Sequence, residues 1–335
     1  MSPAPGPRAM IVATAHAKVN LVLEMVGRRS DGYHALRSVM ALLAFGDRLA
    51  ARVVARGRDR LTVRGLDAGA PAENLVLRAA ALLRAEAGRS LSPLSPLPPL
   101  AFVLRKRIPV AAGLGGGSSD AAAALQLAAA AWGIRLTQGR RRRLAASLGS
   151  DVPFFTAGGW VLVGGRGERL SPLPPPGGQP GVLLVVPMVR LSTRLVFEAH
   201  DRLGAGATGR LQPGGTGGFA SGAHALAGAN ALAEALHRGL DATALTGIAP
   251  RNDLWPAAAT LVPGLATFRE ELAGLLGRPV HLSGSGPTLF VLYPSRGGAA
   301  RAARRVRSAA REGRIHPPGA GALMVIATHT TGGSE

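Results

Sequence analysis

PVAAGLGGGSSD, residues 109–120, joins a predicted strand (Leu100–Ile108) to a predicted alanine-rich helix (Ser118–Trp132). Its glycines let the backbone turn tightly and approach a ligand without a Cβ in the way. The first amide groups of the following helix have no partner within that helix, and the helix dipole adds positive potential at the same place. The segment therefore predicts a cradle for an anion such as a phosphate.

The glycine spacing of this segment excludes two common nucleotide loops. A Walker A loop needs Gly-Lys-Ser or Gly-Lys-Thr, and the dinucleotide fingerprint needs another glycine spacing with an acidic residue about 20 positions further on. Because the chain contains 46 glycines, a flexible turn between strand and helix is the alternative interpretation. The order of strand, glycine loop, serine and helix favours the phosphate cradle.

The chain is 335 residues long and 47% hydrophobic, which suffices for one large or two ordinary domains with a sizeable core. It contains no cysteine, so disulfide frameworks, thiolate zinc sites and cysteine nucleophiles are excluded. The stretch Ile108–Ile134 carries one charge, at Asp120, but its glycines and serines argue against a membrane span. We expect a soluble, cytoplasmic protein with no membrane partner.

The formal net charge is +20, from 39 basic against 19 acidic residues, which favours an anionic partner of some kind. Lys18 and Lys106 are the only lysines, and alanine, glycine, arginine and proline abound together, which indicates a nucleotide-composition bias across the chain. The charge is therefore weak support for nucleic-acid binding. The two lysines become candidates for chemistry that needs a compact charge on a flexible stem.

A basic nucleic-acid-binding protein is the alternative from a different functional class. Its best support is the run Arg140–Arg143 and the arginines of a predicted helix, Ala299–Glu312. On that helix an apolar stripe that includes Ala302 and Val306 lies on one side, so the arginines are typical of a solvated face. Few aromatic residues lie among the basic runs, which argues against single-strand binding. We expect no nucleic-acid partner.

Hydrophobic periodicity predicts an α+β protein with a mainly antiparallel sheet in two lobes. Short β-branched runs from Met10 to Val63 predict strands, and Pro172–Pro180 is the predicted linker between the lobes. The other predicted elements are helix Asn74–Gly88, helix Gln138–Leu148, turn Ser150–Pro153, hairpin Gly158–Leu170, strand Val182–Val186, helix Arg194–Leu203, helix Asn230–Leu240, helix Leu254–Leu276, strand Leu289–Tyr293 and strand Leu323–Ala327. The Gly/Ala-rich stretch 204–228 is left without predicted structure.

Four segments together resemble the GHMP kinases, the family of galactokinase, homoserine kinase and mevalonate kinase. One is the glycine loop, of the form Pro-x-x-x-Gly-Leu-Gly-Gly-Gly-Ser-Ser. The others are Ala17–Leu21 with Gly27–His34, Leu148–Phe154, and Leu282–Pro287. They are most similar to the branch of the family that phosphorylates a cytidine diphosphate-linked methylerythritol in the non-mevalonate isoprenoid pathway, and they span most of the chain.

The resemblance implies the two-domain GHMP kinase fold of the α+β class. An N-terminal ribosomal-protein-like α/β domain that binds ATP would cover residues 1–171, and a C-terminal ferredoxin-like α+β domain would cover residues 181–330. It also implies a small-molecule kinase that uses ATP and Mg²⁺ to phosphorylate a tertiary 2-hydroxyl. A homoserine or mevalonate kinase is the alternative within the family, and we expect a monomer or a weak homodimer.

The resemblance makes Lys18 and Asp151 the catalytic pair. Asp151 would accept the proton of the attacking hydroxyl, and Lys18 would keep that carboxylate ionised and neutralise developing charge. Taken alone, an aspartate beside glycine and proline more often hydrogen-bonds its own turn. A lone lysine on a strand usually faces solvent.

The resemblance assigns the remaining site residues to three pockets. The residues at the ATP phosphates are Pro109, Gly113, Leu114, Gly115, Gly116, Gly117, Ser118 and Ser119; those at the adenine and ribose are Asn74 and Lys106; those at the substrate are Asn20, Tyr33, His34, Thr193 and Phe197. The alternatives are an ordinary N-cap for Asn74, an exposed strand end for Lys106 and a turn with a core tyrosine for Tyr33. The turn Ser283–Gly286 would form a second wall beside the phosphates, with a plain hairpin turn as its alternative.

Three features depart from the family's pattern. Asp120 follows the serines where an uncharged residue would suit a polyphosphate, so we expect it to turn into the helix as a first-turn acid. Arg194 stands where a proline is expected, and residues 204–228 have no counterpart. No carboxylate is clearly dedicated to magnesium, so we expect Mg²⁺ to arrive with ATP, with a serine and waters completing its shell.

Overall fold

The computed structural model describes residues 10–30, 32–68, 74–90, 97–206, 228–249, 251–319 and 321–332. Residue contacts divide the chain into two compact units. Unit 1 contains Met1–Ala17, Phe45–Val110 and Gly115–Gly158, and unit 2 contains Lys18–Ala44, Ala111–Leu114 and Gly159–Glu335. The two longest strands, β1 (Ile11–Arg28) and β2 (His34–Val53), each pass from one unit into the other.

Unit 1 combines the end of β2 with two further strands and four helices. These are β3 (Arg60–Gly65), α1 (Leu75–Ser90), β4 (Leu100–Lys106), α2 (Gly116–Ala131), α3 (Gln138–Leu148) and α4 (Val152–Ala157). β4 pairs antiparallel with β2 and parallel with β3. The alanine-rich α2 packs against α1, α3 and α4, and its small buried side chains meet larger ones such as Leu83 and Phe102. This packing fixes α2, and with it the start of the helix after the glycine loop.

Unit 2 contains the remaining elements. These are β5 (Trp160–Gly165), β6 (Arg169–Leu173), β7 (Gly181–Pro187), α5 (Thr193–Gly206), α6 (Ala229–His237), α7 (Ala242–Leu245), β8 (Arg251–Asn252), α8 (Trp255–Leu261), α9 (Leu265–Leu276), β9 (His281–Leu282), β10 (Leu289–Tyr293), α10 (Arg296–Arg311) and β11 (Leu323–His329). Four strands form an antiparallel sheet in the order β11-β7-β10-β9. In a further sheet β5 pairs with β2 and β6, and β8 runs parallel to β1 at Val22 and Leu23.

α10 covers the antiparallel sheet of unit 2 with the apolar stripe that the sequence predicts. Its buried residues include Ala299, Ala302, Val306 and Ala309, and the helix packs against β7, β10 and β11. The arginines of this helix lie on its exposed side, as a solvated face requires.

Two predicted elements differ from the structure, whereas helix Gln138–Leu148 is confirmed residue for residue. The predicted helix Leu254–Leu276 is two helices, α8 and α9, because Pro263 and Gly264 stand between them and Gly264 has a φ of +83°. The predicted turn Ser150–Pro153 leads directly into α4, since proline is tolerated in the first turn of a helix. Most of the stretch 204–228 lies outside the described residues.

The linear division at residues 171 and 181 differs from the compact units. β1, β2 and residues 111–114 of the glycine loop cross between units, so neither unit is a single stretch of chain. The predicted linker Pro172–Pro180 connects β6 to β7 within unit 2. Across the ranges that the structure describes, no helix has both the length and the apolar character that a bilayer crossing requires.

Candidate functional site

Lys18 lies in unit 2 on β1 and is 3% exposed. Its Nζ donates hydrogen bonds to Asn20 Oδ1 at 2.6 Å and to the carbonyl oxygen of Gly113 at 2.8 Å. Because side chains alternate along a strand, Lys18 and Asn20 lie on the same face of β1. The alternative of a solvent-facing Lys18 is therefore wrong, and the ammonium group is fixed against the backbone of the glycine loop.

Ser38, on the neighbouring strand β2, sets the orientation of Asn20. The Ser38 hydroxyl is fully buried and donates to the carbonyl of Val22 at 2.6 Å, so it accepts from Asn20 Nδ2 at 2.8 Å. The Asn20 amide thereby directs its nitrogen to Ser38 and its oxygen to Lys18. We call Lys18, Asn20, Ser38 and Gly113 the Lys18 cluster.

Two glycine turns of unit 2 meet beside this cluster. Ser283 Oγ donates to the Gly113 carbonyl at 3.0 Å. A Cβ on Gly113 (φ +78°) would lie 2.1 Å from the Ser283 carbonyl oxygen, and one on Gly284 (φ +57°) would lie 2.9 Å from Lys18 Nζ. Both positions therefore require glycine. The turn Ser283–Gly286 connects β9 to β10, as a hairpin turn does, and it also contacts the glycine loop.

Asn252 holds the second glycine turn from β8 and was missed by sequence reasoning. Its Nδ2 donates to the carbonyls of Leu282 at 3.0 Å and Gly284 at 2.7 Å, and its Oδ1 accepts from the Leu254 amide. No local pattern marks this residue, because its partners lie about thirty positions further along the chain.

Ala111, at the start of the residues that the glycine loop contributes to unit 2, has a φ of +56°. It is the one residue other than glycine with a positive φ among those the structure describes. A left-handed conformation costs an L-residue about 1–2 kcal/mol. Strain of this kind concentrates in ligand-binding loops, where the surrounding structure enforces it.

A third group of side chains in unit 2 joins the start of β2 to α5. The ring centroids of His34 and Phe197 are 5.2 Å apart, and His34 Nε2 lies 2.6 Å from Asp201 Oδ1. Sequence reasoning missed Asp201, although its position four residues after Phe197 places it on the same face of the helix. The structure thus brings together two of the residues that the resemblance assigns to the substrate.

Tyr33, which precedes His34, and Thr193, which lies four residues before Phe197, occupy different environments. Tyr33 is 55% exposed and carries the Arg166 guanidinium 4.7 Å from its ring centroid, so the alternative of a core tyrosine is wrong. Thr193 Oγ1 lies 3.0 Å from Ser285 Oγ in the second glycine turn. Asp31, which the Gly27–His34 motif includes, lies outside the described residues.

In unit 1 the glycine loop continues into α2 through Gly115, whose φ of +71° is left-handed. Helix α2 starts at Gly116, where a Cβ would lie 2.9 Å from the Ile108 side chain. Ser118 is half-buried and Ser119 is 2% exposed. A glycine-lined approach to the first-turn amides of a well-packed helix suits a phosphate group.

Lys106, assigned by resemblance to the adenine and ribose pocket, is buried behind the start of α2. Its Nζ donates to Asp120 Oδ2 at 2.7 Å and to Asp47 Oδ2 at 2.5 Å, and the Asp47 carboxylate also accepts from the Ile108 amide. Lys106 is therefore not an exposed strand end. Its observed partners are two carboxylates, and through them the ammonium holds the start of α2.

Asp120 differs from the expected first-turn acid because it is the fifth residue of α2 and its carboxylate turns to Lys106. Burial raises the pKa of Asp120 to about 7; Lys106 opposes this shift and Asp47 adds to it. Within the described residues its Oδ1 atom has no hydrogen-bond partner. Asp47, the third member of this group, was missed by sequence reasoning.

Asn74 and Asp151 flank helices of unit 1. Asn74 Oδ1 accepts from the Val76 amide at 3.0 Å, as the N-cap interpretation expects for the start of α1. Asp151 is half-buried at the start of α4, and its side chain does not cap the amides of that helix. In the parts of the chain that the structure describes, no three His, Asp or Glu side chains group together as a metal site.

Comparisons with known proteins agree with this architecture. Residues 74–159 match the model of the GHMP kinases N terminal domain, and residues 229–312 match the model of the GHMP kinases C terminal domain. A protein of Cytophaga hutchinsonii whose crystal structure is described as homoserine kinase superposes with a TM-score of 0.67 over 98% of this chain and 96% of its own, at 17% identity. That likeness shows the fold alone.

Closer relatives share one name. The 4-diphosphocytidyl-2-C-methyl-D-erythritol kinase of Pelotomaculum thermopropionicum is 39% identical over 89% of this chain and 94% of its own, and that of Mesorhizobium japonicum is 36% identical over 88% and 90%. A crystal structure of 4-(cytidine 5'-diphospho)-2C-methyl-D-erythritol kinase superposes with a TM-score of 0.65 at 33% identity, over 96% of this chain and 100% of that one. The chain belongs to the GHMP family of small-molecule kinases, among the 4-diphosphocytidyl-2-C-methyl-D-erythritol kinases.

Proposed function

We propose that this chain uses ATP to phosphorylate the tertiary 2-hydroxyl of 4-diphosphocytidyl-2-C-methyl-D-erythritol. The observation that carries the proposal is the buried Lys18 ammonium, fixed by Asn20 and by the Gly113 carbonyl of the glycine loop. It gives the loop a positive charge of fixed position. The names and the extent of the similar proteins support the substrate.

Lys18 and Asp151 are the proposed catalytic residues. Asp151 accepts the proton of the attacking hydroxyl, which as general-base assistance is worth about 10²- to 10⁴-fold in rate. The Lys18 ammonium stabilises the negative charge on the reacting oxygens. Because the transition state of phosphoryl transfer is loose, fixed position and charge matter more than the strength of the base.

The proposed phosphate cradle is the glycine loop with the start of α2. Pro109 leads into the turn, and Gly113, Gly115, Gly116 and Gly117 around Leu114 present no Cβ atoms. Ser118 and Ser119 offer hydroxyl groups in the first turn. ATP supplies the phosphoryl group, and Mg²⁺ bound to it lowers the charge that the cradle must balance. A serine hydroxyl and waters would complete the shell of the ion.

The proposed adenine and ribose residues are Asn74 and Lys106, and the proposed substrate residues are Asn20, Tyr33, His34, Thr193 and Phe197. A flat cytosine with hydrogen-bonding edges needs an aromatic face and polar groups. His34 and Phe197 supply neighbouring rings, and Asp201 holds the His34 ring. We further propose a cytoplasmic monomer or weak homodimer that acts on a small molecule, without nucleic-acid or membrane partners.

The test is to incubate the chain with Mg²⁺, ATP and 4-diphosphocytidyl-2-C-methyl-D-erythritol and to measure the 2-phosphate product by ³¹P NMR. Parallel reactions contain homoserine or mevalonate in place of that substrate. We expect product only with the cytidine compound. Turnover of homoserine or mevalonate without turnover of the cytidine compound would refute the substrate while leaving the kinase fold intact.

A further inference from the structure

Outside the site described above, unit 2 contains a concave surface at the end of β10 that is distant from the glycine turns. It encloses about 480 Å³, which is within the range of cavities that hold small metabolites. Three arginines, Arg278, Arg301 and Arg305, line it together with Tyr293 and Ser295, and its lining contains no Asp or Glu. The proposed function uses none of these residues.

Contacts hold two of the three guanidinium groups in place, and none of the three is neutralised by a carboxylate. Arg305 donates to the Leu275 carbonyl at 2.6 Å, and the Arg278 guanidinium lies 5.0 Å from the Tyr293 ring centroid. The Arg301 Nη1 atom lies near Gly297, 3.6 Å from the position that a Cβ of residue 297 would take. None of the three forms an ion pair within the described ranges, in contrast to Arg314, which pairs with Glu312 at 2.7 Å.

Tyr293 adds a hydrogen-bond donor to this positive surface. Its ring is largely buried, and burial raises the pKa of its hydroxyl above the usual value, against the opposing effect of Arg278 and Arg305. The hydroxyl has no hydrogen-bond partner in the portion of the chain that the structure describes. The cavity thus combines unneutralised positive charge with a neutral donor, which suits an oxyanion.

The cavity is separate from the Lys18 cluster. β10 begins at Leu289, just after the second glycine turn, and ends at Tyr293 in the cavity. The four residue steps from Leu289 to Tyr293 span about 13 Å along a strand. A small anion in the cavity therefore does not reach the residues that we assign to phosphoryl transfer.

We infer that this cavity, which we call the Arg301 cavity, is a second binding site for a small molecule that carries a phosphate or diphosphate group. Guanidinium groups bind such oxyanions through paired hydrogen bonds. The volume exceeds that of inorganic phosphate, so a phosphate ester fits better than the free ion. The first turn of α10, which begins at this cavity, contributes potential of the same sign.

The test is calorimetric titration of the full chain with inorganic diphosphate at constant ionic strength, in wild type and in the single variants Arg278→Gln, Arg301→Gln and Arg304→Gln. Arg304 lies exposed on the same helix outside the cavity, so its variant is the control for net charge. Binding to the phosphate cradle is common to all four proteins. Circular dichroism and kinase turnover at saturating substrate confirm that each variant is folded and that its catalytic site is intact.

We expect two binding events in wild type and in Arg304→Gln, and at least about a tenfold loss of affinity for one of them in Arg278→Gln and in Arg301→Gln. Identical titrations of Arg301→Gln and Arg304→Gln would overturn the site. A single binding event in wild type that Arg278→Gln and Arg301→Gln leave unchanged would overturn it as well. Because kinase turnover is measured separately, neither result bears on the proposed function.

Discussion

The Lys18 ammonium is buried, and a buried charge is tolerated only where protein groups replace the water that it loses. Asn20 and the Gly113 carbonyl supply two such groups at 2.6 and 2.8 Å. The same contacts remove the rotational freedom of a long side chain. A substitution of Lys18 by an uncharged residue therefore removes both the positive charge and the contacts that hold it in a fixed position.

Lys18→Met is expected to lower kcat by at least about 100-fold, and by no less than Asp151→Asn does, because position and electrostatics dominate phosphoryl transfer. Steady-state kinetics with the cytidine substrate measure both variants. Thermal unfolding provides the control, since the methionine retains most of the buried volume. Near-normal turnover in both variants would remove this pair from the mechanism.

Ser38 is not among the proposed substrate residues, yet Ser38→Ala is expected to lower kcat about tenfold. The reason is that the Asn20 amide then loses the partner that orients it toward Lys18. The free energy of unfolding should fall by about 1–2 kcal/mol, since Asn20 Nδ2 becomes unsatisfied. Ser38→Thr keeps the hydroxyl and is the matched control.

A double-mutant cycle separates positioning by Ser38 from a general structural role. In the Asn20→Ala background, Ser38→Ala should change kcat little, because the group that Ser38 orients is already absent. A further tenfold loss of kcat in that background would contradict the positioning role.

At the level of elements, Lys106 links three of them behind the glycine loop. Lys106 ends β4, Asp47 belongs to β2 and Asp120 belongs to α2, and the ammonium bonds both carboxylates. All three residues are at most 3% exposed. Burial raises the pKa of Asp120, and the neighbouring Asp47 carboxylate, which shares the same cation, adds to this shift against the effect of Lys106.

Asp120→Asn is expected to change the pH dependence of stability. The pKa of Asp120 is about 7 in the folded chain against an ordinary 3.8, so the folded state holds a proton that the unfolded state releases between these values. The contribution of Asp120 to the free energy of unfolding therefore falls as the pH rises from about 4 to about 7 and is constant above that. Urea unfolding of both proteins across this range should show a free energy of unfolding that rises more with pH in the variant than in wild type, because only wild type carries the falling contribution of Asp120, whereas the contributions of all other titrating groups are common to both. Equal slopes would refute the assignment.

Local sequence signals predicted the helices and strands well, whereas they predicted poorly which of these elements contact one another. Gln138–Leu148 is confirmed because Thr137 caps the helix and Gly149 ends it, and both signals lie directly next to the segment in the sequence. The break between α8 and α9 was missed although Pro263 and Gly264 mark it. The resemblance identified Lys18 and the loop, and strand alternation explains why Asn20 shares its face.

Contacts between distant parts of the chain are what sequence reasoning could not supply. Gly113 is 95 positions from Lys18, and Asp47 is 59 positions from Lys106. Asn252 and Ser38 have no motif of their own, because their partners are backbone carbonyls or side chains set by tertiary packing. Residues of this kind become recognisable only when the fold is known.

For the whole molecule, the buried His281 predicts sensitivity to acid. Its side chain is stacked on Phe290, and both ring nitrogens have no hydrogen-bond partner among the described residues. Burial, with a smaller effect of Arg269, lowers the pKa of His281 to about 3 from 6.5. Between about pH 6.5 and 3 the His281 side chain is protonated in the unfolded chain and neutral in the folded chain. The free energy of unfolding therefore decreases as the pH falls through this range.

His281→Leu is expected to unfold at a lower pH than wild type and to be nearly neutral at pH 7, because no hydrogen bond is lost. Acid titration followed by circular dichroism measures the midpoint. His237→Gln, at an exposed position on α6, is the control and should unfold with wild type. A midpoint unchanged by His281→Leu would show that other groups govern acid unfolding.

The passage of β1 and β2 from one compact unit into the other affects how the protein must be made. The last segment of unit 1 ends at Gly158, whereas unit 2 needs Lys18–Ala44 together with everything from Gly159 onward. On the ribosome, those early residues of unit 2 emerge long before their later partners, so only unit 1 can be completed while synthesis continues. A gene split at Pro172–Pro180 would leave Lys18 on one product and the turn Ser283–Gly286 on the other.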